Sequence, residues 1–364
     1  MDLSKLGLDE PVKEYLNTQK QFKIDAVSQE GGNCDIFFGY HEILDKRVAL
    51  KIYYGSKDSS THNEPKILAK IKHKNILKVH YAEKIGEAYN YFMTDEILGG
   101  DLEKNLRKGN LDLKDKLSII SGILGGLCEL HKPENSLVHR DIKPKNILVK
   151  RDSKTPLIAD FGSVKHFNSS QSSVTGSNST LVYKPKEVFE MNQYTVQSDI
   201  YQVGVTMFQT LGGFFPGAYV EWLDDKEKNK LSAIESQYDQ WQYIESIIEK
   251  RVRQHKLLQF DTLPSYIDKG IIRIIKKAVN PKLRVRYANV GEFMNDLYKT
   301  QQNMINWIEC ENELIAEHPK KGRFRIFKYK SDYRTEKMGK NNKWRRCHEM
   351  SKDIKSQIKY IHSL

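Results

Sequence analysis

The chain has 364 residues and a formal net charge of +12, with 39% hydrophobic and 29% charged residues. This composition is typical of a soluble globular protein with one large domain and a small addition. No apolar run approaches the roughly 18 residues of a membrane-spanning helix, and the N-terminus lacks the order of a signal peptide. We therefore expect a cytoplasmic protein with no membrane partner. Four scattered cysteines without CxxC spacing argue against a disulfide framework or a structural zinc site.

The positive charge is concentrated near the C-terminus. Residues 319–364 contain 15 lysines and arginines against 4 acidic residues, a net charge of +11, which leaves +1 for the rest of the chain. The basic tail and the body of the protein therefore need separate explanations.

The predicted elements change in character along the chain. Residues 1–21 form a polar N-terminal extension with one short helix near residues 11–17. Alternating apolar residues predict strands at 48–52 and 89–93. Apolar residues at three- and four-residue steps then predict helices, the first over 117–130. A second such helix covers Ile200 to Leu211.

A small β-rich part thus precedes a larger helical part, with a turn at Gly99-Gly100 between them. This order predicts an α+β chain of two unequal lobes with a cleft between them.

One short stretch carries groups suited to phosphoryl transfer. Residues 139–146 place a carboxylate (Asp141), a lysine (Lys143) and an amide (Asn146) within six residues. A second carboxylate, Asp160, follows 19 residues after the first, in the sequence Asp-Phe-Gly. Transfer of a phosphoryl group from ATP depends mainly on positioning and charge neutralisation, which these groups supply.

This stretch resembles the catalytic loop and the DFG motif of eukaryotic-type (Hanks-type) serine/threonine protein kinases. The resemblance covers about residues 22–300, the expected kinase domain, and implies a two-lobed fold with a β-rich N-lobe and a helical C-lobe. Further landmarks lie at matching distances in the chain. They are Lys51 in Val-Ala-Leu-Lys, Glu64, the segment Tyr183 to Glu187, Asp199, Gly204, and Arg284 after Asn280-Pro281 as the partner of Glu187.

The resemblance implies a catalytic role for each residue of the short stretch. Asp141 would orient the substrate hydroxyl and accept its proton, and Lys143 would neutralise charge on the transferring group. Asn146 and Asp160 would hold Mg²⁺, because hard cations prefer carboxylate and amide oxygens.

The resemblance also implies an ATP site. Lys51, fixed by an ion pair with Glu64, would bind the α- and β-phosphates. The other implied ATP-binding residues are Gly31, Gly32, Ile36, Ala49, Asp95, Ile97, Asp101 and Leu148, with Thr94 as gatekeeper. The glycine-rich loop departs from the family pattern, because Gln29 and Cys34 replace two of its three glycines. Pro65 requires that the helix carrying Glu64 begins at that residue.

Two residues favour serine or threonine over tyrosine as the acceptor. Lys143 stands two residues after Asp141, and Thr180 stands three residues before Tyr183, as in Ser/Thr-specific members of the family. Two alternatives remain: a pseudokinase scaffold, favoured by Gln29 and Cys34, or a small-molecule kinase. The latter class lacks the segment from Thr180 to Glu187.

A serine-rich segment lies between the DFG motif and Tyr183. We expect autophosphorylation there, on one or more residues that Arg140, Lys165 and His166 would bind through charge-assisted hydrogen bonds. The candidate residues are Ser169, Ser170, Ser172, Ser173, Thr175, Ser177 and Ser179.

The last 64 residues resemble no family that we recognise. Residues 301–318 show helical spacing at Met304, Trp307, Ile308, Glu311 and Ile315, which predicts a connecting helix. Residues 319–364 form a basic C-terminal module, with predicted strands at 323–330 and 340–346 and an amphipathic helix.

This module is an α+β extension whose charges suit a nucleic acid, an acidic partner protein, or solvent alone. The partners that the resemblance implies for the kinase domain are protein substrates. The interleaved aromatic residues favour nucleic acid if they stack on bases. They are Phe324, Phe327, Tyr329, Tyr333 and Trp344, and the helix stripe is Met350, Ile354, Ile358 and Ile361.

Overall fold

The computed structural model describes residues 6–31, 34–54, 64–86, 88–167, 174–175 and 180–364, with backbone alone at residues 30, 31, 54, 174 and 175. The chain divides into two compact units. Unit 1 comprises Met1–Gly100 and Leu148–Val164, and unit 2 comprises Asp101–Ile147 and Lys165–Leu364. Among the described residues, no helix has both the length and the apolar character needed to cross a bilayer.

Unit 1 is built on a five-stranded antiparallel sheet of order β1-β2-β3-β5-β4. The strands are β1 Phe22–Gly31, β2 Cys34–His41, β3 Lys46–Tyr54, β4 Val79–Ile85 and β5 Tyr89–Asp95. Strands β3 and β5 confirm the two strands predicted from alternation. Helix α2 (Glu64–Lys70) begins at Glu64, as Pro65 requires, since proline fits the first turn of a helix.

Helix α1 (Glu10–Thr18) packs on this sheet and joins its core. Leu8, Val12 and Leu16 are buried in one cluster with sheet residues that include Phe37 and Tyr91. Burying a side chain of this size contributes about 1.5–3 kcal/mol. The short helix predicted near the N-terminus is therefore present, and it forms part of the core of unit 1.

Unit 2 is mainly helical up to residue 301. Its helices are α3 Leu102–Lys108, α4 Leu113–His131, α5 Lys186–Met191, α6 Val196–Thr210, α7 Asp225–Ser232, α8 Gln237–Arg253, α9 Lys269–Ala278 and α10 Val290–Gln301. Helices α4 and α6 confirm the two helices predicted from apolar spacing.

Short strand pairs connect these helices. They are β6 (Leu137–Val138) with β9 (Lys165–His166), and β10 (Val174–Thr175) with β11 (Gln193–Tyr194). A further pair, β7 (Ile147–Val149) with β8 (Pro156–Ile158), continues the chain after the catalytic stretch.

Helix α6 lies at the centre of unit 2, where almost all of its residues are buried. Its Gly204 faces α9 at close range. A Cβ placed on Gly204 would lie 2.7 Å from Cγ1 of Val279 and 2.8 Å from Cβ of Ala278. Only glycine therefore allows the two helices to approach this closely.

The chain ends in a five-stranded antiparallel meander and a helix, together called the C-terminal sheet. Its elements are β12 Asn306–Glu309, β13 Glu313–His318, β14 Gly322–Tyr329, β15 Asp332–Met338, β16 Trp344–Arg346 and α11 Ile354–His362. The connecting helix predicted over residues 301–318 is wrong, because β12 and β13 occupy most of that range. The helical spacing arose because neighbouring residues on opposite faces, such as Ile315 and Ala316, are both buried.

The C-terminal sheet packs on the N-terminal end of α4. The side chain of Asn306 accepts a hydrogen bond from the backbone nitrogen of Lys114 (3.0 Å) and donates to Asp112 (3.2 Å) and Glu317 (3.1 Å). The ring of Trp307 stacks on Tyr266 with centroids 5.7 Å apart. Polar and aromatic contacts therefore join the sheet to the helical part of unit 2.

Candidate active site

The three polar residues of the catalytic stretch form one cluster in unit 2. Oδ2 of Asp141 accepts a hydrogen bond from Nδ2 of Asn146 at 2.8 Å and lies 2.8 Å from Nζ of Lys143. Oδ1 of Asp141 is buried and has no hydrogen-bond partner within the described part of the chain. One carboxylate oxygen is thus fixed, while the other is left to accept a proton or a hydrogen bond.

Helix α6 holds the backbone of this stretch. The two carboxylate oxygens of Asp199 accept hydrogen bonds from the backbone nitrogens of His139 and Arg140, each at 2.8 Å. Gln202 donates to the carbonyl of Arg140 and accepts from the nitrogen of Ile142, each at 2.9 Å. These bonds stabilise Arg140 at φ 71°, a left-handed conformation that is rare for residues other than glycine.

The residues expected to bind a phosphorylated loop lie in different environments. Arg140 is buried, and burial lowers the pKa of its guanidinium. Lys165 and His166 are exposed on β9. Of the candidate phosphorylation residues, Thr175 lies in β10 and is described as backbone alone, and the others lie outside the described residues.

The second set of polar residues lies together in unit 1. Nζ of Lys51 is 2.9 Å from Oε2 of Glu64 and 3.4 Å from Oδ1 of Asp160. Oε1 of Glu64 accepts a hydrogen bond from the backbone nitrogen of Phe161 at 2.9 Å. Burial alone would lower the pKa of Lys51, but the charges of Glu64 and Asp160 outweigh it and raise that pKa. Lys51 is therefore held as a cation.

Asp160 differs from Glu64 in exposure and in backbone conformation. Its side chain is 49% exposed, whereas that of Glu64 is 6% exposed. Its φ of 59° lies in the left-handed region. The Asp160 carboxylate is therefore accessible to a ligand, and its strained backbone is typical of a functional position.

The expected adenine-binding residues of unit 1 belong to two sets, one in the five-stranded sheet and one in a small apolar cluster. Ala49 of β3 pairs with Phe38 and with Thr94, and Ile36 pairs with Lys51. Ile97 and Leu148 pack on one small apolar cluster.

The polar members of the expected ATP set have protein partners. Asp95 contacts Lys46 (2.7 Å) and His80 (2.9 Å); burial would raise its pKa, but these hydrogen bonds lower it. Asp101 lies in unit 2, where its carboxylate caps α3 by accepting from the nitrogen of Lys104 at 2.7 Å. Gly31 ends strand β1, and Gly32 lies outside the described residues.

A groove of about 620 Å³ lies beside Lys143 in unit 2. Nζ of Lys143 is 3.3 Å from Oγ1 of Thr180, which also lines the groove. Its apolar wall includes Phe215, Tyr219 and Trp222. The sequence carries no signal for this groove, because its aromatic residues lie in a connection without a recognisable motif.

One expected ion pair involves a different arginine. Arg286, and not Arg284, binds Glu187, with Nη1 at 2.7 Å and Nη2 at 3.1 Å from its two oxygens. Ser198 donates to the same carboxylate at 2.9 Å. The side chain of Arg286 is fully buried, whereas Arg284 is exposed. The prediction of Arg284 is wrong because spacing along the chain does not distinguish two arginines that are two residues apart.

Comparisons with known proteins identify the family. A family model described as "Protein kinase domain" matches residues 29–299. The cysteine-rich receptor-like protein kinase 24 of Arabidopsis thaliana is 33% identical over 179 residues, which cover 47% of this chain and 28% of that protein. The serine/threonine-protein kinase PknL of Mycobacterium tuberculosis is 29% identical over 218 residues, which cover 58% of this chain and 53% of that protein. This chain thus spans only about a quarter to a half of these relatives. Since the family model covers most of this chain, the chain belongs to the protein kinase domain family.

Proposed function

We propose that the chain transfers the γ-phosphoryl group of ATP to serine and threonine hydroxyls of protein substrates. The observation that carries this proposal is the state of Asp141. One of its oxygens is held by Lys143 and Asn146, and the other is buried without a partner among the described residues. A carboxylate so oriented can accept the proton of a substrate hydroxyl, which contributes about 10²–10⁴ in rate.

The residues present fit ATP with Mg²⁺. The amide nitrogen of Asn146 donates both to the backbone oxygen and to the carboxylate of Asp141, so its amide oxygen is the atom that suits a cation. Asp160 supplies an accessible carboxylate, and Lys51 supplies a cation for the phosphates. The metal would neutralise charge on the phosphates. In unit 2, Asn146 offers an oxygen that suits the metal; in unit 1, Asp160 offers a second such oxygen and Lys51 offers a cation to the phosphates.

The preference for serine and threonine rests on Thr180. Its hydroxyl contacts Lys143 at 3.3 Å beside the groove, where an acceptor residue would bind. The name of the mycobacterial relative agrees with this preference.

We also propose autophosphorylation of the segment between Phe167 and Thr180, with the exposed Lys165 and His166 as candidate phosphate ligands. Mass spectrometry after incubation with ATP tests this, and unmodified serines in fully active enzyme would contradict it.

For the basic tail, we favour an acidic partner over nucleic acid. Phe324 is buried, and the ring of Trp344 lies 4.7 Å from the guanidinium of Arg325, which is paired with Glu336 at 2.7 Å. These side chains are engaged inside the C-terminal sheet and are poorly placed to stack on bases. Binding to an acidic protein that persists in Trp344→Ala, with no binding to nucleic acid at low salt, would support this choice.

The decisive experiment measures transfer of radiolabelled γ-phosphate with Mg²⁺, followed by identification of the phosphorylated amino acids. We expect phosphoserine or phosphothreonine from the unaltered protein and at least about a 10²-fold lower rate from Asp141→Ala. Asp152→Ala, which alters an exposed aspartate, is the matched control and should keep the full rate.

Two results would contradict the proposal. No transfer above the Asp141→Ala background would leave a pseudokinase. Phosphorylation of small hydroxylated compounds without phosphorylation of proteins would indicate a small-molecule kinase.

A further inference from the structure

A second, more enclosed cavity lies where the C-terminal sheet meets the helical part of unit 2. Its volume is about 150 Å³. The polar and aromatic side chains that line it are Tyr266, Asp268, Asn303, Trp307, His318 and His362. It shares no lining residue with the groove beside Lys143. The cavity is therefore distinct from the candidate active site.

The indole of Trp307 is the first unusual feature of this cavity. Trp307 is 1% exposed, and its ring packs on Tyr266 and on His362, with centroids 5.7 and 5.6 Å away. Its Nε1 is buried and has no hydrogen-bond partner in the part of the chain that the structure describes. A buried donor without an acceptor is costly, so a group inside the cavity is expected to satisfy it.

His318 contributes a second donor. Its Nδ1 accepts hydrogen bonds from the backbone nitrogens of Lys320 (3.1 Å) and Lys321 (3.3 Å). Burial, followed by the positive charges of Lys321 and Lys320, lowers the pKa of His318. The ring is therefore neutral near pH 7, and because Nδ1 is an acceptor, the proton is on Nε2.

Three side chains of the cavity wall, Tyr266, Asp268 and Asn303, carry oxygen atoms. The one carboxylate that lines it belongs to Asp268, whose Oδ1 already accepts from the backbone nitrogens of Gly270 (2.6 Å) and Ile271 (3.2 Å). Among the described residues, no three histidine, cysteine or acidic side chains cluster in a way that would hold a metal ion. The indole N–H of Trp307 is thus a donor of the cavity wall with no acceptor among the described residues.

We propose that this cavity binds a small oxyanion, a carboxylate or a phosphate, through the N–H groups of Trp307 and His318. A volume of 150 Å³ is enough for such an anion with one or two waters, since a water occupies about 30 Å³. Trp307 and His318 belong to the C-terminal sheet, whereas Tyr266 and Asp268 belong to the helical part. A bound anion would therefore strengthen the junction between them.

The direct test follows the four tryptophan indole N–H signals of the full chain by nitrogen-15 NMR. Each signal is assigned by its loss in a Trp→Phe variant. Inorganic phosphate and acetate are titrated separately, with chloride at matched ionic strength as the reference. We expect the Trp307 signal to shift and saturate with one of the two anions while the Trp344 signal stays in place.

A thermal-shift experiment gives an independent readout. The anion that shifts the Trp307 signal should raise the melting temperature of the unaltered protein by about 2–4 °C at saturation. Trp307→Phe and His318→Asn should each abolish this rise; asparagine keeps an acceptor near the Nδ1 position and removes the Nε2 donor. Trp344→Phe is the matched control and should keep the rise. An unmoved Trp307 signal with both anions would overturn the proposal and leave water alone in the cavity.

Discussion

At the scale of the residue, Arg286 and Arg284 are expected to differ strongly in how much each contributes to the free energy of unfolding. Arg286 forms a buried, bidentate pair with Glu187, while Arg284 is exposed. Removing one partner of a buried pair leaves the other charge uncompensated, which costs about 3–5 kcal/mol. We therefore expect Arg286→Gln to lower the free energy of unfolding by about this amount, as measured by urea denaturation.

Arg284→Gln is the matched control for this prediction. A surface substitution of this kind changes stability by at most about 0.5 kcal/mol. Equal destabilisation by the two variants would contradict the assignment of the ion pair to Arg286.

His255 is expected to make stability depend on pH. Burial, followed by the positive charges of Lys276 and Arg286, lowers the pKa of His255 from its usual 6.5. The unfolded state then binds the proton more readily than the folded state, so the neutral His255 ring contributes to the stability of the folded state. This contribution to stability is complete above pH 6.5 and is lost as the pH falls through the lowered pKa. His255→Asn removes this titration, and asparagine tolerates the φ of 58° at this position.

We expect His255→Asn to lose less stability than the unaltered protein between about pH 7.5 and 5.5, measured by denaturation at each pH. Asn341→Ala, which removes no titratable group from an exposed position, is the control and should keep the original pH dependence. A His255→Asn profile parallel to that of the unaltered protein would contradict the prediction.

Single residues also show how far the sequence reveals the candidate site. Asp141, Asn146 and Asp160 were predicted because their order and spacing are specific to one family. Gln202, which bonds to Arg140 and Ile142, and Arg286 were not predicted, because each contacts its partner only once the chain is folded. A glutamine in the middle of a helix carries no signal of its own until the helix is packed.

At the scale of the element, the contact between α6 and α9 leaves no room for a side chain at Gly204. The Cβ of an alanine would lie 2.7 Å from Val279 and 2.8 Å from Ala278. Overpacking of this kind costs about 1–3 kcal/mol. We expect Gly204→Ala to lower the melting temperature, measured by calorimetry.

Gly217→Ala provides the comparison, because no heavy atom lies within 4 Å of the Cβ that it adds. Its melting temperature should match that of the unaltered protein. A Gly204→Ala protein of unchanged stability would show that α9 can move away without cost.

Secondary structure was predictable where one face of an element is buried. Helix α4 and strand β3 showed clear periodicity, and their positions were predicted from it. Strands β12 and β13 did not, because Trp307 is buried on one face while Ile315 is buried on the other. Burial on both faces removes the alternation that identifies a strand.

At the scale of the whole molecule, Asn306 is expected to couple the C-terminal sheet to the helical part of unit 2. Its side chain bonds to Lys114, Asp112 and Glu317. Asn306→Ala removes these three hydrogen bonds, each of which contributes about 0.5–1.5 kcal/mol. We expect the variant to speed up backbone hydrogen exchange more in strands β12 to β15 than in helix α6. Mass spectrometry measures this exchange.

Asn341→Ala serves as the control, since Asn341 lies in the exposed turn before β16 and accepts one bond from Lys343. Its exchange pattern should change only within that turn. Uniformly faster exchange throughout unit 2 of Asn306→Ala would contradict a local coupling role.

The discontinuity of unit 1 has a consequence for how the protein is made. The residues that complete this unit include Pro156 and Ile158, which bond to Asn75 at 2.9 and 2.8 Å. They follow the end of its first segment, Gly100, only after a stretch that belongs to unit 2. At roughly 5–20 residues per second, a ribosome needs about 3–13 seconds to pass from Gly100 to Val164. During that interval the first segment emerges without its last strands, so on the ribosome unit 1 is expected to expose apolar surface that chaperones bind.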